Sequence, residues 1–236
     1  QRKAYFEKLQ SQGGGKLKPS RSVIDQSIPK ILAQLDPVWG GLGTGMKFPQ
    51  VSVFRFLLQS GDPKAIEAVL KTCRHMMDGG IYDQVMGGFH RYAVDREWLV
   101  PHFEKMLYDQ AQLMDLYLDA WQMTGEEKFR DVVEGIADYV LRELTHPEGG
   151  FYCAQDAQSE GKEGKCFCWT EKELVALLTP EEMKVAREIL GVSEKGNFID
   201  QSDPEPLPNQ NILSFKTPRQ DLGASDKRLV AGIFKK

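Results

Sequence analysis

The sequence predicts an all-α fold, an incomplete α/α toroid of helical hairpins with a small β-hairpin insertion. Three observations predict it: apolar residues recur at helical spacing, short turns join the helical segments, and a double glycine follows a helical segment at Gly40, Gly79 and Gly149. Each hairpin needs roughly 45–60 residues, so the 236 residues hold about four, fewer than a closed barrel needs. A helical solenoid is the main alternative.

Helical periodicity places the elements along the chain. A short helical stub, 5–10, runs into a glycine-rich linker, and Pro29 interrupts the next helical pattern. Asp62 is the predicted N-cap of a helix with Pro63 in its first turn. The helices predicted after the stub cover 23–35, 51–59, 63–77, 101–123, 126–144, 171–178, 180–190 and 226–236. The pair 101–123 and 126–144 is joined by so short a turn that its helices must be antiparallel.

Beyond Glu148 the pattern changes to short β-type runs. Residues 151–153 and 165–169 flank the glycine-containing stretch 159–164, which predicts the small β-hairpin. If the run 165–169 is a strand, Cys166 and Cys168 share one face and are best explained as small buried hydrophobic side chains. Thr170 and Glu173 have the spacing of a capping box that opens the next helix.

Composition excludes several classes of function. The chain has 34 acidic and 30 basic residues, which argues against nucleic-acid binding, and it lacks an apolar run long enough to span a membrane. Its four cysteines and four histidines fit no zinc spacing, so neither a metal nor another cofactor is predicted. A start at Gln1-Arg2-Lys3 is expected of a fragment or a processed chain, and we expect a reduced, cytoplasmic protein.

The stretch from Gly79 to Asp109 holds most of the chemically useful side chains. An ordinary connection between helices takes about 2–8 residues. This stretch combines two histidines, two arginines, five carboxylates and several aromatic rings with mobile glycines. Such a long connection, rich in titratable groups, is typical of a binding loop.

Several motifs in and around this stretch resemble one known family. Lys47-Phe48-Pro49, Gly149-Gly150-Phe151-Tyr152 and Trp169-Thr170 match its flanking patterns. The central matches are Gly79-Gly80-Ile81-Tyr82-Asp83-Gln84, Gly88-Phe89-His90-Arg91-Tyr92 and Pro101-His102-Phe103-Glu104-Lys105-Met106-Leu107-Tyr108-Asp109. Over residues 39–178 the chain resembles the helical-toroid part of the spermatogenesis-associated, thioredoxin-domain-containing protein family.

That resemblance implies a domain order and a fold. Members carry an N-terminal thioredoxin-like domain followed by a six-hairpin toroid similar to N-acylglucosamine 2-epimerases and six-hairpin glycosidases. Residues 1–36 are then expected to be the linker that leaves the missing thioredoxin-like domain, a partner of the toroid, and residues 37–236 part of the toroid. The chain departs from the family at Gln158, where an acidic residue is usual, and at Cys153, where serine is common.

The candidate site residues follow from chemistry and position. On the predicted helix 101–123, His102, Lys105 and Asp109 lie three and four positions apart and share one stripe. Sugar epimerisation needs an acid and a base, and stacking on a sugar ring needs aromatic faces. Expected catalytic residues are His90, His102, Glu104 and Asp156. Expected substrate-binding residues are Tyr82, Asp83, Arg91, Tyr92, Trp98, Lys105 and Asp109.

Two main functions remain open from sequence, and a third, redox function would need a reactive thiol, which only Cys166 and Cys168 offer. The first is a sugar-directed module, an epimerase or a glycoside hydrolase, with a carbohydrate ligand in a polar funnel; hydrolysis would need two carboxylates about 5–9.5 Å apart. The second is a non-catalytic domain that binds a ligand or a partner, in which the motif residues pair with each other and with the backbone. Fold alone does not decide between them.

Overall fold

The computed structural model describes residues 20–236, and this part of the chain contains eight α-helices. The helices are α1 Arg21–Leu32, α2 Val51–Gln59, α3 Pro63–Asp78, α4 Leu107–Thr124, α5 Glu127–Glu143, α6 Glu171–Leu177, α7 Pro180–Glu188 and α8 Ala224–Ile233. The predicted all-α class, built from helical hairpins, is confirmed. The stub at 5–10 and its glycine-rich linker lie outside the described residues.

Helices α1 to α5 share the larger hydrophobic core. Helices α4 and α5 form the main hairpin, because Gly125 ends α4 in a left-handed conformation at φ 68°. Asp62 caps α3 as predicted and accepts hydrogen bonds from two backbone N–H groups. Helix α1 continues through Pro29 and buries Ile28 against the same core. The described part of the predicted linker, residues 20–36, therefore packs on the helices, and the domain boundary stays a prediction.

Helices α6 to α8 build a smaller second core. Capping boxes open both α6 and α7, the first of them at the predicted Thr170 and Glu173. The segment before α8 ties this core to the larger one, because the Arg219 guanidinium donates to the Met77 carbonyl oxygen and lies 4.4 Å from the Phe215 ring centroid. None of the helices in the described residues is long and apolar enough to cross a membrane.

Short antiparallel strand pairs hold the loops at one end of the helices. The pairs are β1 Tyr92–Ala93 with β2 Pro101–His102, β3 Lys105–Met106 with β4 Ala154–Gln155, and β5 Gln158–Ser159 with β6 Lys162–Glu163. The last pair forms a small hairpin, as predicted, but neither of its strands lies in the runs 151–153 and 165–169 that were expected to form them. Except for Gln158, the pair lies in the stretch 159–164, which was expected to be the loop.

Two sequence predictions about local structure were wrong. The helix predicted over 101–123 begins only at Leu107, because residues 101–106 are extended and pair with β1 and β4. His102, Lys105 and Asp109 therefore do not form a helical stripe. The run 165–169 is a turn rather than a strand, and it leaves Cys166 exposed and Cys168 buried.

A turn in which a buried lysine donates to an aspartate carboxylate and to a glycine carbonyl occurs twice in the structure, and we call it a lysine-clamped turn. The first such turn consists of residues 36–41 together with Lys47. Asp36 Oδ1 accepts hydrogen bonds from two backbone N–H groups, and the Gly41 carbonyl accepts one from the Asp36 backbone N–H. Lys47 Nζ then donates to Asp36 Oδ2 at 3.0 Å and to the Gly40 carbonyl at 2.6 Å. Arg96 binds the same carboxylate and, with the other donors, holds the pKa of Asp36 well below its usual range.

The second lysine-clamped turn, residues 83–88 with Lys105, has the same bonds. Asp83 Oδ1 accepts from the Val85 and Met86 N–H groups, and Lys105 Nζ donates to Asp83 Oδ2 at 2.8 Å and to the Gly87 carbonyl at 3.0 Å. Both turns end in two left-handed glycines. The sequence comparison aligned Gly79-Gly80 with Gly40-Gly41, but the structural counterpart is Gly87-Gly88, since Gly79 is extended.

Candidate functional site

A polar cavity of about 670 Å³ opens between the strand pairs and a loop that follows α7. Its volume is typical of small-molecule sites. One wall comes from β1, β2 and β6, and the opposite wall comes from the loop 197–202, which we call the cavity loop. The residues that line it are Tyr92, Val94, Val100, Pro101, His102, Glu163, Asn197, Phe198, Ile199, Asp200, Gln201 and Ser202.

His102 is the titratable side chain that the two walls place best for chemistry. Its Nδ1 lies 2.8 Å from Glu163 Oε1, a hydrogen bond between β2 and β6. Since a carboxylate accepts, the hydrogen of a neutral His102 sits on Nδ1, and Nε2 carries the lone pair. Glu104 Oε2 lies 3.9 Å from Nε2. The imidazole is therefore held between two carboxylates and remains partly exposed at the cavity.

Aromatic rings extend this wall. Tyr92 and His102 are register partners in β1 and β2, and their rings stack with centroids 5.0 Å apart. Phe48 stacks on Tyr92 at 4.6 Å and is itself exposed. Because Phe48 and His102 cover the two faces of Tyr92, this row offers ring edges to a ligand beside the histidine.

Charged neighbours surround the outer side of His102. Arg91 binds Glu104 through its guanidinium at 3.0 Å, and its backbone N–H donates to the Glu104 carbonyl at 2.8 Å. Asp109, in the first turn of α4, buries an Oδ2 atom that has no hydrogen-bond partner among residues 20–236. Burial raises the pKa of Asp109 to about 6, because it outweighs the attraction of the Arg91 charge. This carboxyl group is therefore protonated mainly below about pH 6.

His90 lies beneath this surface rather than in the cavity. Its ring is buried against Phe103 and Phe167, with centroids 5.3 and 4.9 Å away. Nδ1–H donates to the Phe103 carbonyl at 2.9 Å, and burial lowers the pKa of His90 to about 3. His90 is therefore neutral in the folded protein, and it supports the segment that carries His102.

Several expected binding residues are part of the core. Asp83 and Lys105 form the second lysine-clamped turn, Trp98 is fully buried, and Tyr82 is 7% exposed. Burial also raises the pKa of Tyr82 to about 12. The structure does not bring these four side chains to the cavity. Asp156 is exposed, but it accepts the Gln158 N–H at the turn before β5 and does not line the cavity either.

Two parts of the site were missed by sequence analysis. Glu163 lies 61 residues from His102 and was assigned to a hairpin loop, and the cavity loop was described only as loop. Neither stretch carries a motif, and only the pairing of β5 with β6 turns Glu163 toward the histidine. Among the residues that the structure describes, no three His, Cys, Asp or Glu side chains are placed to hold a metal ion.

Comparison with known proteins identifies homologues. Spermatogenesis-associated protein 20 of Homo sapiens is 40% identical over 232 residues, covering 87% of this chain and 29% of the human protein. The Mus musculus protein of the same name is 42% identical, with 83% of this chain and 29% of its own length covered. The chain thus spans less than a third of these relatives. No protein-family model matches the chain.

Solved structures with a similar fold include two sugar epimerases. Cellobiose 2-epimerase from Spirochaeta thermophila is 22% identical with a TM-score of 0.49, over 58% of this chain and 39% of that one. Cellobiose 2-epimerase from Bacillus thermoamylovorans is 16% identical with a TM-score of 0.46, over 61% of this chain and 40% of that one. At these identities the likeness concerns the fold alone. Sequence identity of about 40% over most of its length shows that the chain is homologous to part of spermatogenesis-associated protein 20.

Proposed function

We propose that this region is a sugar-directed module whose acid–base group is His102. The observation that carries the proposal is the position of His102: Glu163 fixes Nδ1 at 2.8 Å, and the imidazole lines a cavity of about 670 Å³ beside the stacked ring of Tyr92. A carboxylate behind a histidine fixes its orientation and stabilises the charged imidazolium. Aromatic rings beside a polar group suit the mixed apolar and hydroxylated surface of a sugar.

The chemistry that this arrangement supports is proton transfer at a carbon beside a carbonyl. In an open-chain sugar, Nε2 of His102 accepts the proton, and the electron pair of the broken C–H bond moves toward the carbonyl carbon to give an enediolate. A water molecule then gives a proton to the opposite face of that carbon, the enediolate becomes the carbonyl of the epimer, and the hydroxide left behind takes the proton from His102.

Glycoside hydrolysis fits the site less well. It needs one carboxyl group to protonate the leaving oxygen and another that is available to water or to the sugar. Glu163 is already bonded to His102, and Glu104 is bonded to Arg91. Neither carboxylate is left for the sugar, so the pairing favours epimerisation or isomerisation.

A non-catalytic binding domain is the second candidate. It is favoured by the burial of the family signature: Lys105 and Asp83 are paired in the core, and His90 is bonded to backbone. In this function the cavity binds a sugar without turning it over. Loss of binding in cavity variants, with no turnover in the original protein, would identify this case.

The test uses the full-length protein and a panel of neutral mono- and disaccharides with a free reducing end. Exchange of the hydrogen at C2 for solvent deuterium, followed by NMR, detects proton removal even when no net product accumulates. We expect His102→Ala to lower exchange by about 10²–10⁴-fold and Glu163→Gln to lower it less. His146→Ala is the control, because His146 lies away from the cavity. Neither binding nor exchange with any sugar in the panel would overturn the proposal.

A further inference from the structure

The cavity loop forms the wall opposite His102, and β6 anchors it. Lys162 donates from Nζ to Asp203 Oδ2 and to the Glu205 carbonyl, both at 2.7 Å. The next residue on β6, Glu163, holds His102. Lys162 and Glu163, which are adjacent on β6, therefore hold both walls of the cavity. The distance between the walls is thus set by contacts within the protein.

The side chains on the cavity loop differ in how many hydrogen bonds they already make within the protein. Asn197 is bonded to backbone through both its amide atoms, so it holds the loop in shape. Asp200 uses Oδ1 to accept the Ser202 N–H and hydroxyl. Gln201 is exposed and lines the cavity, and its side chain makes no hydrogen bond with the described residues. Asp200, Gln201 and Ser202 thus supply the polar atoms of this wall.

Apart from His102, the lining side chains that can carry a charge near neutral pH are acidic. Glu163 and Asp200 contribute carboxylates from opposite walls, and none of the lining residues that the structure describes is a lysine or an arginine. The nearby Lys162 ammonium is bonded to Asp203 and a carbonyl oxygen, outside this cavity lining. A phosphate or carboxylate group brought into the cavity would lose water and meet charges of its own sign.

We infer that the cavity takes a neutral polyhydroxylated ligand and rejects phosphorylated and acidic sugars. The inference rests on the proposed function and adds the substrate class. Hydroxyl groups are both donors and acceptors, so they pair with the Asp200 carboxylate and with the Gln201 amide. The rings of Tyr92 and Phe198 on the two walls contact the apolar faces of the sugar.

The experiment compares maltose with maltose 6-phosphate by calorimetry on the full-length protein at constant ionic strength. We expect the phosphorylated sugar to bind at least ~10-fold more weakly, a penalty typical of like charges brought together. Asp200→Asn keeps the Oδ1 acceptor that binds Ser202 but removes the negative charge, so it should reduce the difference in affinity between the two sugars. Gln201→Lys adds a cation to the wall without removing a hydrogen bond, and it should favour maltose 6-phosphate.

Glu148→Lys, an exposed charge change away from the cavity, is the control and should leave the ratio of the two affinities unchanged. Equal or tighter binding of maltose 6-phosphate to the original protein would overturn the inference and leave the proposed function standing. An unchanged ratio in Gln201→Lys would also overturn it. If no neutral sugar of the panel binds, the proposed function itself fails, and the two results are distinguishable.

Discussion

Lys105 Nζ lies 2.8 Å from Asp83 Oδ2, and the lysine side chain is completely buried. The ammonium group also lies 4.3 Å from the Tyr139 ring centroid and 5.0 Å from that of Phe167. Burial lowers the pKa of Lys105, and the lysine charge lowers the pKa of Asp83 against the opposing effect of burial. Lys105 thus holds the motif at residues 101–109 in the core.

Replacing Lys105 by methionine should therefore destabilise the protein strongly. Removing one partner of a buried pair leaves the other charge uncompensated and costs about 3–5 kcal/mol. Urea denaturation measures the change. The double variant Lys105→Met, Asp83→Asn removes both charges but keeps the Oδ1 acceptor, and it should recover part of the loss. Lys165→Met, in the exposed pair with Glu160, should have no measurable effect. A stable Lys105→Met protein would contradict this role.

Asp109 should make stability depend on pH. Its pKa of about 6 in the folded protein is above the ordinary 3.8, so the native state keeps a proton that the unfolded state releases. Stability from this group is thus present at low pH and is lost as pH rises from about 3.8 to 6. Asp109→Asn should flatten the slope of Tm against pH in that window, relative to the original protein. An identical slope in both proteins would contradict the raised pKa.

His90 should stay neutral well into the acid range. Its pKa of about 3 lies below the ordinary 6.5, so unfolding takes up a proton between these values. Its contribution to stability is present above pH 6.5 and is lost as pH falls toward 3. NMR of histidine ring signals should show one histidine, absent in His90→Gln, that does not titrate between pH 8 and 5. A midpoint near 6.5 for that signal would contradict its burial.

Gly87 and Gly161 offer a matched pair of left-handed glycines. Both have φ near +75°, but a Cβ on Gly87 would lie 2.4 Å from the Gly135 carbonyl oxygen, whereas nothing lies within 4 Å at Gly161. Gly161→Ala should cost about 1–2 kcal/mol for the backbone conformation alone. Gly87→Ala should cost clearly more, because backbone atoms must move. Equal losses of unfolding free energy in the two variants would contradict the expected clash between residue 87 and α5.

Local signals explain which helices could be predicted from the sequence. Helix α2 has the predicted bounds, and α3 begins at the predicted Pro63 because its cap, Asp62, is adjacent in the chain. Helix α4 was predicted six residues too early because Phe103 and Met106 fit a helical pattern with Leu107. The residues before Leu107 are extended since their backbone partners, in β1 and β4, are distant in sequence, and periodicity cannot detect such partners.

The candidate site was predictable only in part, for a related reason. His102, Glu104, Arg91 and Tyr92 stand close together in the motif, and the structure also brings them together. Glu163 and the cavity loop are distant from His102 in sequence, and no local sequence pattern indicates that the fold brings them beside it. Tyr82 and Trp98 have residue types that suit a ligand, but they are buried in the core that α1 to α5 share. His90 is buried by Phe103 and Phe167, which come from two segments distant in sequence.

The alternation along residues 104–106 has a practical consequence for anyone making variants. Lys105 points into the core, so its neighbour Glu104 must point outward, toward Arg91 and His102. An altered Glu104 should still yield purified protein with changed chemistry. An altered Lys105 should instead appear as low expression or aggregation, and an activity screen that does not normalise for protein yield would mistake a misfolded chain for an inactive catalyst.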